Sequence, residues 1–408
     1  MPFASSAFGQ LRYIPESVYN QIPGSGNAIN LRMTSPTAKA AVATTKSEEI
    51  RPDRLSTGQT RTDLNIDGGF NFELSGKEYD PFLEGVLFSS YTHYGTNGLG
   101  TTFSLTTAAN SLTAAAAPTT TSAFTNLTAG SWIKVVPPAG ASAAIKEYFN
   151  DKWFKVASTT STVITLDAST PISGAGLGIA AVAGYAISQS VVSNGATPKS
   201  FAMEYLLTDI STVFTFTGMR PNTLELSMEV GSIITGSFGF LGGGHTVQNT
   251  TLLPGSPVAS QSLEVMNSVT DVGCIYEAGT NILGSGTSFI KSVKLNISNN
   301  ARGQKAVGVF GNAGVGFGEL EIGGTLEMYV ENKTYYEKWL QGATTSLALG
   351  MADAAGNGYL IELDKVQFNE GGLNAGGRND DVMLSLPFSA FYNAATNRGI
   401  RITRAIAA

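Results

Sequence analysis

Three stretches of the chain alternate apolar and polar residues with a period of two. In TLELSMEV, Leu224, Leu226, Met228 and Val230 share one side, and Glu225, Ser227 and Glu229 share the other. In ELEIGGTLEMYV, Leu320, Ile322, Leu326, Met328 and Val330 point one way, while Glu319, Glu321, Thr325, Glu327 and Tyr329 point the other. SFIKSVKLNIS alternates through Phe289, Val293, Leu295 and Ile297. Such a period predicts half-buried strands. One dry and one wet side is the mark of antiparallel sheets. Helical patterns are few. PFLEGVLFSS, from Pro81, has its proline where a first turn tolerates it, and NKTYYEKWLQGA starts at Asn332, a predicted N-cap.

Those two helices belong to an internal repeat. Residues 68–87 read GGFNFELSGKEYDPFLEGVL and residues 323–343 read GGTLEMYVENKTYYEKWLQGA. Each runs Gly-Gly, alternating strand, short turn, aromatic, helix, Gly. With one or two single-residue slips, Tyr79 matches Tyr336, Phe82 matches Trp339, Leu83 matches Leu340 and Gly85 matches Gly342. A repeat of this length predicts two copies of one domain. Between them, residues 101–196 are rich in Thr, Ala and Ser. They carry the run SLTAAAAPTTTSAF, which we expect to be a flexible linker. GSWIKVV, EYFNDKWFKVA and TSTVITLD follow as three predicted strands. The expected organisation is a first domain of residues 1–100 and 197–258, resuming near Lys199. A small all-β domain, 101–196, is inserted into it, and a second domain spans 259–408. The fold class is mainly β: two tandem β-sandwich or partial-barrel domains, each with a short flanking helix, plus the insert.

Composition narrows the chemistry. Forty-seven glycines in 408 residues argue against long helices. The formal charge of −6 does not suit a grip on phosphate backbones. Cys274 stands alone, so neither an intrachain disulfide nor a thiolate metal cluster is possible. The start, MPFASSAFGQLRYIPES, lacks the basic and apolar regions of a signal peptide. The most apolar window, Ile172 to Ile187, falls short of the roughly 20 residues of a membrane span. We expect a soluble protein with no membrane partner.

Catalytic and metal motifs are missing or fail on inspection. His93 and His245 sit in no ligand-spaced motif, and no G-x-S-x-G elbow accompanies them. DLNIDGG, from Asp63, opens like a calcium loop. The twelfth position is Leu74 rather than Glu, however, and Phe70, Phe72 and Leu74 alternate as in a strand. A strand with Leu64 and Ile66 inward and Asp63, Asn65 and Asp67 outward fits better. GFGELEIGG, from Gly316, precedes a strand rather than the helix a phosphate loop needs. Arg398, Arg401 and Arg404 alternate with Ile400 and Ile402, which predicts a terminal strand with a wet basic edge. No paired-carboxylate spacing supports a glycosidase. No catalytic residue, metal or cofactor is expected, and the protein is read as not an enzyme.

Two charged features remain. Seven of the eighteen residues in SEEIRPDRLSTGQTRTDL, 47–64, are charged, in a chain only 14% charged. Pro52 and Gly58 keep its middle irregular. Four acids against three arginines suit a loop that meets a complementary surface, since such contacts fix register more than affinity. Glu48, Glu49, Arg51, Asp53, Arg54 and Arg61 are therefore the predicted inter-subunit contact residues. The second feature is the acidic side of two strands, Glu225 and Glu229 with Glu319, Glu321 and Glu327. In a closed ring such a side would line a channel and repel phosphate.

Four segments together resemble the tail tube proteins of long-tailed bacteriophages. They are SEEIRPDRLSTGQTRTDLNIDGGFNFELSGKEYDPFLEGVL, FTFTGMRPNTLELSMEVGSIITGSFGFLGG, VKLNISNNARGQKAVGVFGNAGVGFGELEIGGTLEMYVEN and NDDVMLSLPFSAF. The likeness is one of pattern and order over most of the chain outside 101–196. It implies a structural virion protein of the tail, assembled in the host cytoplasm. Its subunits would form stacked rings whose inner sheets make a continuous lumen for DNA ejection. The repeat then implies trimeric rings with pseudo-sixfold symmetry, with a hexamer as the runner-up. The implied partners are other copies of itself, a tape measure protein in the lumen, and distal tail and terminator proteins at the ends. Double-stranded DNA would pass without specific binding. The insert would sit on the outer wall. The alternative is a receptor- or glycan-binding β protein acting through 101–196.

Overall fold

The computed structural model describes all residues except 1–2, 94–102, 107–109, 115–126, 151, 161, 174–175, 188, 284–288 and 406–408. The alternating stretches form strands. Thr212–Glu229 buries Leu224, Leu226 and Met228, and Glu321–Tyr329 buries Ile322, Leu326 and Met328. Each alternation stops sooner than expected. Val230 and Val330 lie past the strand ends and are exposed, and Glu319 lies in the loop ahead of its strand. Phe289 is exposed because a register shift between Ile290 and Ser292 breaks the alternation there.

The pairings come in two matching sets. In the first half, Ile29–Leu31, Gly9–Glu16, Ser200–Leu207, the start of Thr212–Glu229, and Gly244–Gln248 lie side by side. In the second half, Thr280–Asn281, Val272–Glu277, Thr344–Ala352, Gly358–Phe368 and Ile400–Ala405 lie in the same order. A second layer repeats likewise. Lys39–Lys46, Gln59–Glu73, Thr235–Leu241 and the end of Thr212–Glu229 are matched by Ile290–Ser298, Glu321–Tyr329, Val382–Ala390 and Gly372–Ala375. Corresponding strands also follow the same chain order. Thus the repeat seen over twenty residues extends through the fold.

The two second layers join. Thr223 to Glu229 pair antiparallel with Ser298 to Ser292, giving one long sheet of four strands from each half. Among the described residues, its free ends are Lys39–Lys46 and Gly372–Ala375. One apolar core runs between this sheet and the two shorter ones, with Phe70, Phe72, Tyr79, Phe82 and Phe238 at its centre in the first half. The repeated glycines have a packing reason. A side chain at Gly69 would strike the Phe240 ring, and one at Gly324 would strike the Phe388 ring of the corresponding neighbour strand.

The expected helices are Asp80–Val86, with Pro81 in its first turn, and Thr334–Leu340. Asn332 accepts a hydrogen bond from the Thr334 amide at 2.9 Å, one place ahead of the residue at the cap.

Seven strands between Phe103 and Ile187 form a separate sheet with its own core around Ile133, Phe149, Phe154 and Ile164. That region is not purely β. Ala143–Asn150 is a helix that buries Ile145 and Phe149, so EYFNDKWFKVA splits into a helix end and the strand Phe154–Thr159. Of the expected linker, Ser111–Ala114 is a strand and 115–126 lie outside the described residues. The strand Gln189–Ser193, within 101–196, belongs to the large sheet. It pairs with Thr92–His93 and with Ile400–Ala405, so both stems of the seven-stranded unit extend the second half's shorter sheet.

Candidate assembly surfaces

The charged segment is an arm. Lys39–Lys46 and Gln59–Glu73 pair as a hairpin, and residues 47–58 form its tip, closed by the Ser47 amide donating to the Gly58 carbonyl at 2.9 Å. Glu48, Glu49, Arg51, Asp53 and Arg54 all lie exposed in this tip, and Arg61 is exposed on the strand that leaves it. Arg51 and Asp53 already hold each other at 2.9 Å, which keeps the Asp53 carboxyl below the usual carboxylate range. Among the described residues, Glu48, Glu49 and Arg54 make no salt bridge. Charge alone did not reveal the apolar part of the tip. Ile50 is 98% exposed and Leu55 68% exposed.

The Asp63 to Asp67 stretch is the expected strand. Leu64 and Ile66 are buried, and the Asp63 carboxylate and Asn65 accept from the Lys305 ammonium at 2.9 and 3.0 Å. The second half's connection thus packs on the base of the first half's arm. Asn312 donates to the Gly242 carbonyl and Arg220 donates to the Val315 carbonyl at the same junction.

The long sheet carries the predicted acids on its polar face. Glu225 stands opposite Asn296 and Ser237, Glu229 opposite Ser292, Glu321 opposite Ser298, and Glu327 opposite Ser292 and Ser385. The Ser292 hydroxyl donates to Glu327 at 3.0 Å. Glu319 is set apart from this face by its position before the strand. Two lysines share the face: Lys39, which pairs with Asp67 at 3.4 Å, and Lys294, opposite Ser227 and Thr325. Acids outnumber bases there, but the face is mixed. The lysines escaped notice because they come from other strands.

The wet basic edge is overturned. Ile400–Ala405 lies between Gly358–Phe368 and Gln189–Ser193, and all six of its residues are buried. Arg401 forms an ion pair with Glu362, opposite it on the next strand, and donates to the Gly130 carbonyl at 3.0 Å. Arg404 pairs with Asp80, the first residue of the first half's helix. The Tyr359 hydroxyl donates to the same carboxylate at 2.8 Å. Burial pushes the Asp80 carboxyl up, against the pull of Arg404 and Tyr359. This cluster ties the helix of one half to the shorter sheet of the other.

Residues 8–390 match the sequence model of the phage tail tube protein family. The chain belongs to that family. No curated protein matches it. As a tail tube protein it is a structural component of the phage tail, in keeping with its large antiparallel sheets. Among the described residues, no helix is long and apolar enough to cross a membrane, and no group of three or more His, Cys, Asp or Glu is placed to hold a metal ion. His245 stacks on Phe216 with centroids 4.6 Å apart and bonds the Thr215 carbonyl through Nδ1, while the His93 side chain lies outside the described residues.

The seven-stranded unit of this tail tube protein is docked on the second half. Trp132 and Trp153 are buried in a cluster with Cys274, Tyr276, Ala348, Leu360 and Ala405. Trp132 and Tyr276 have centroids 4.7 Å apart, and Gly350 leaves room for the Trp153 ring. Burial pushes the Cys274 thiol up to about 12.

Proposed function

We propose that the two halves are two tube domains of one subunit, and that three subunits close a ring with pseudo-sixfold symmetry. The observation that carries this is the long sheet, in which two equal sets of four strands join edge to edge and share one polar face. Rings stack into a tube whose lumen is that face. Glu225, Glu229, Glu321 and Glu327 make the lumen repel phosphate, so double-stranded DNA passes without specific binding and is ejected through it. Glu319 stands at the rim rather than on the wall. The arm tip, with Glu48, Glu49, Arg51, Asp53, Arg54, Ile50 and Leu55, contacts a neighbouring subunit, Arg61 supporting it from the strand. The unit between 103 and 187 lies on the outer wall. The tape measure protein occupies the lumen during assembly in the host cytoplasm, and distal tail and terminator proteins cover the ends.

Electron microscopy of the purified protein tests the reading. Rings with threefold averages, alone or stacked into tubes, are expected. Only monomers and dimers at high concentration would sink it.

A further inference from the structure

The face on which the seven-stranded unit sits is apolar in one part and polar in another. Along Gly358–Phe368, Ile361 and Leu363 enter the main core, so Leu360, Glu362 and Asp364 turn to the other side, toward the unit. Along Thr344–Ala352, Leu347 and Leu349 enter the core, and Ser346 and Ala348 turn the same way. Trp132 and Trp153 pack on Ala348 and Leu360. Beside Ser346, Glu362 and Asp364, a cleft of about 410 Å³ remains between the unit and the second half, with Trp132 and Tyr276 in its lining. An opening of about 770 Å³ shares Lys155, Ser346, Asp364 and Asn393 with that cleft. Both volumes lie in the range of small-molecule sites.

The acids of this cleft are already neutralised, and two of its lysines are not. Glu362 is held by Arg401, and Asp364 accepts from Arg398 at 2.8 Å and from the Thr396 hydroxyl at 2.5 Å. Lys155 lies between Phe154 and Val156, which both enter the unit's own core, so it points out of that core, opposite Trp132 on the neighbouring strand. Lys365 stands exposed on the second half. Among the described residues, neither lysine makes a salt bridge. Hydrogen bonds from the Ser169 hydroxyl and amide, with the Lys155 charge, hold the Asp167 carboxyl below the usual range, but that carboxylate is engaged by Ser169. A chain of formal charge −6 thus gathers two ammonium groups at one cleft, whose walls concentrate their field.

The remaining lining suits hydroxyl groups. Thr344 and Ser346 present hydroxyls there. Tyr392 is 59% exposed, and its hydroxyl donates to Asn397 at 2.6 Å, which holds the ring in place. A fixed tyrosine ring offers contact area at little entropic cost. We propose that the cleft binds an acidic saccharide. Its carboxylate or phosphate lies between Lys155 and Lys365, one sugar face rests on Tyr392, and sugar hydroxyls reach Thr344 and Ser346. Both units build the site, so the docking of the seven-stranded unit creates it. The site is complete within one chain and does not depend on ring closure.

Isothermal titration calorimetry of the full-length protein tests it, with tri-galacturonate as the carboxylate probe, glucose 6-phosphate as the phosphate probe and maltotriose as the neutral control. One charged probe is expected to bind about tenfold more tightly than maltotriose in low salt, as two exposed charge contacts together give. The tighter of the two identifies the anionic group. Lys155→Gln and Lys365→Gln are each expected to weaken it about three- to fivefold, and Tyr392→Ala by about the same factor. Unchanged urea midpoints show that the variants fold. Equal affinity for maltotriose, a charge preference that survives the Lys155→Gln, Lys365→Gln double variant, or equally tight binding of a hexaglutamate peptide overturns the site. So does the absence of binding by every probe. None of these outcomes bears on the tube reading, which microscopy tests separately.

Discussion

Arg404 is the residue whose surroundings differ most from its sequence context. It alternates with isoleucines near the chain end, yet it is buried beside Asp80, 324 positions away, and donates to Ser190 at 3.1 Å. Removing one partner of a buried ion pair costs about 3–5 kcal/mol, because the other charge stays desolvated. Arg404→Met is therefore expected to lower unfolding stability in urea by that amount. The double variant Asp80→Leu with Arg404→Met is expected to lose less than the single one, a coupling that a double-mutant cycle measures. His245 gives a pH dependence. Burial holds its imidazole below the ordinary 6.5, against the hydrogen bond to Thr215. The folded state thus favours the neutral ring, and its contribution is present above the ordinary value and lost as pH falls through the folded one. His245→Phe is expected to flatten the decline in urea stability between about pH 7 and pH 5 relative to wild type. An equal decline in both proteins would exclude His245 as its source. At this scale the sequence showed which side chains carry charge. It hid their partners, since Glu362 and Asp80 reach Arg401 and Arg404 only across strand pairings and helix docking.

Among the elements, strands were read best and the helix Ala143–Asn150 not at all. Tyr148 and Phe149 favour a strand by side-chain type, yet Ile145 and Phe149 lie four apart on one buried side. Packing against the unit's own sheet decided between them. The arm was located from its charges, but its apolar tip was not, because isolated Ile50 and Leu55 form no pattern. Arg51→Glu combined with Arg54→Glu is expected to impair assembly by sedimentation and microscopy, with an unchanged urea midpoint. Ile50→Asp with Leu55→Asp is expected to do so too, since both side chains lie in water in the monomer. Normal tubes from both variants would take the arm out of the contact.

At the scale of the whole molecule, the seven-stranded unit acts as a cover for the second half. The 401, 403 and 405 side of Ile400–Ala405 packs under it through Gly130, Trp132 and Trp153. Trp153→Ala is expected to cost about 3–5 kcal/mol, as for other buried large aromatics. It should also admit a thiol reagent to Cys274, which is buried and expected to be silent in the wild type. Labelling rate and urea midpoint measure the two effects separately. An unreactive Cys274 in that variant would mean that the unit does not seal this surface.

The sequence by itself determined the dry faces around Leu224–Met228 and Ile322–Met328, two of the three α-helices among the described residues, the Gly-Gly strand-to-helix repeat and most of the acids on the long sheet. All of these rest on interactions or spacings within about twenty residues. Tertiary structure alone decided which edges pair, that both stems of the insert join the second half, and that the C-terminal arginines are buried. Those outcomes depend on contacts between segments tens to hundreds of residues apart. A period of two says which way a side chain points, but the backbone groups along a strand edge are the same in every sequence, so only the packing of the whole chain selects the neighbour.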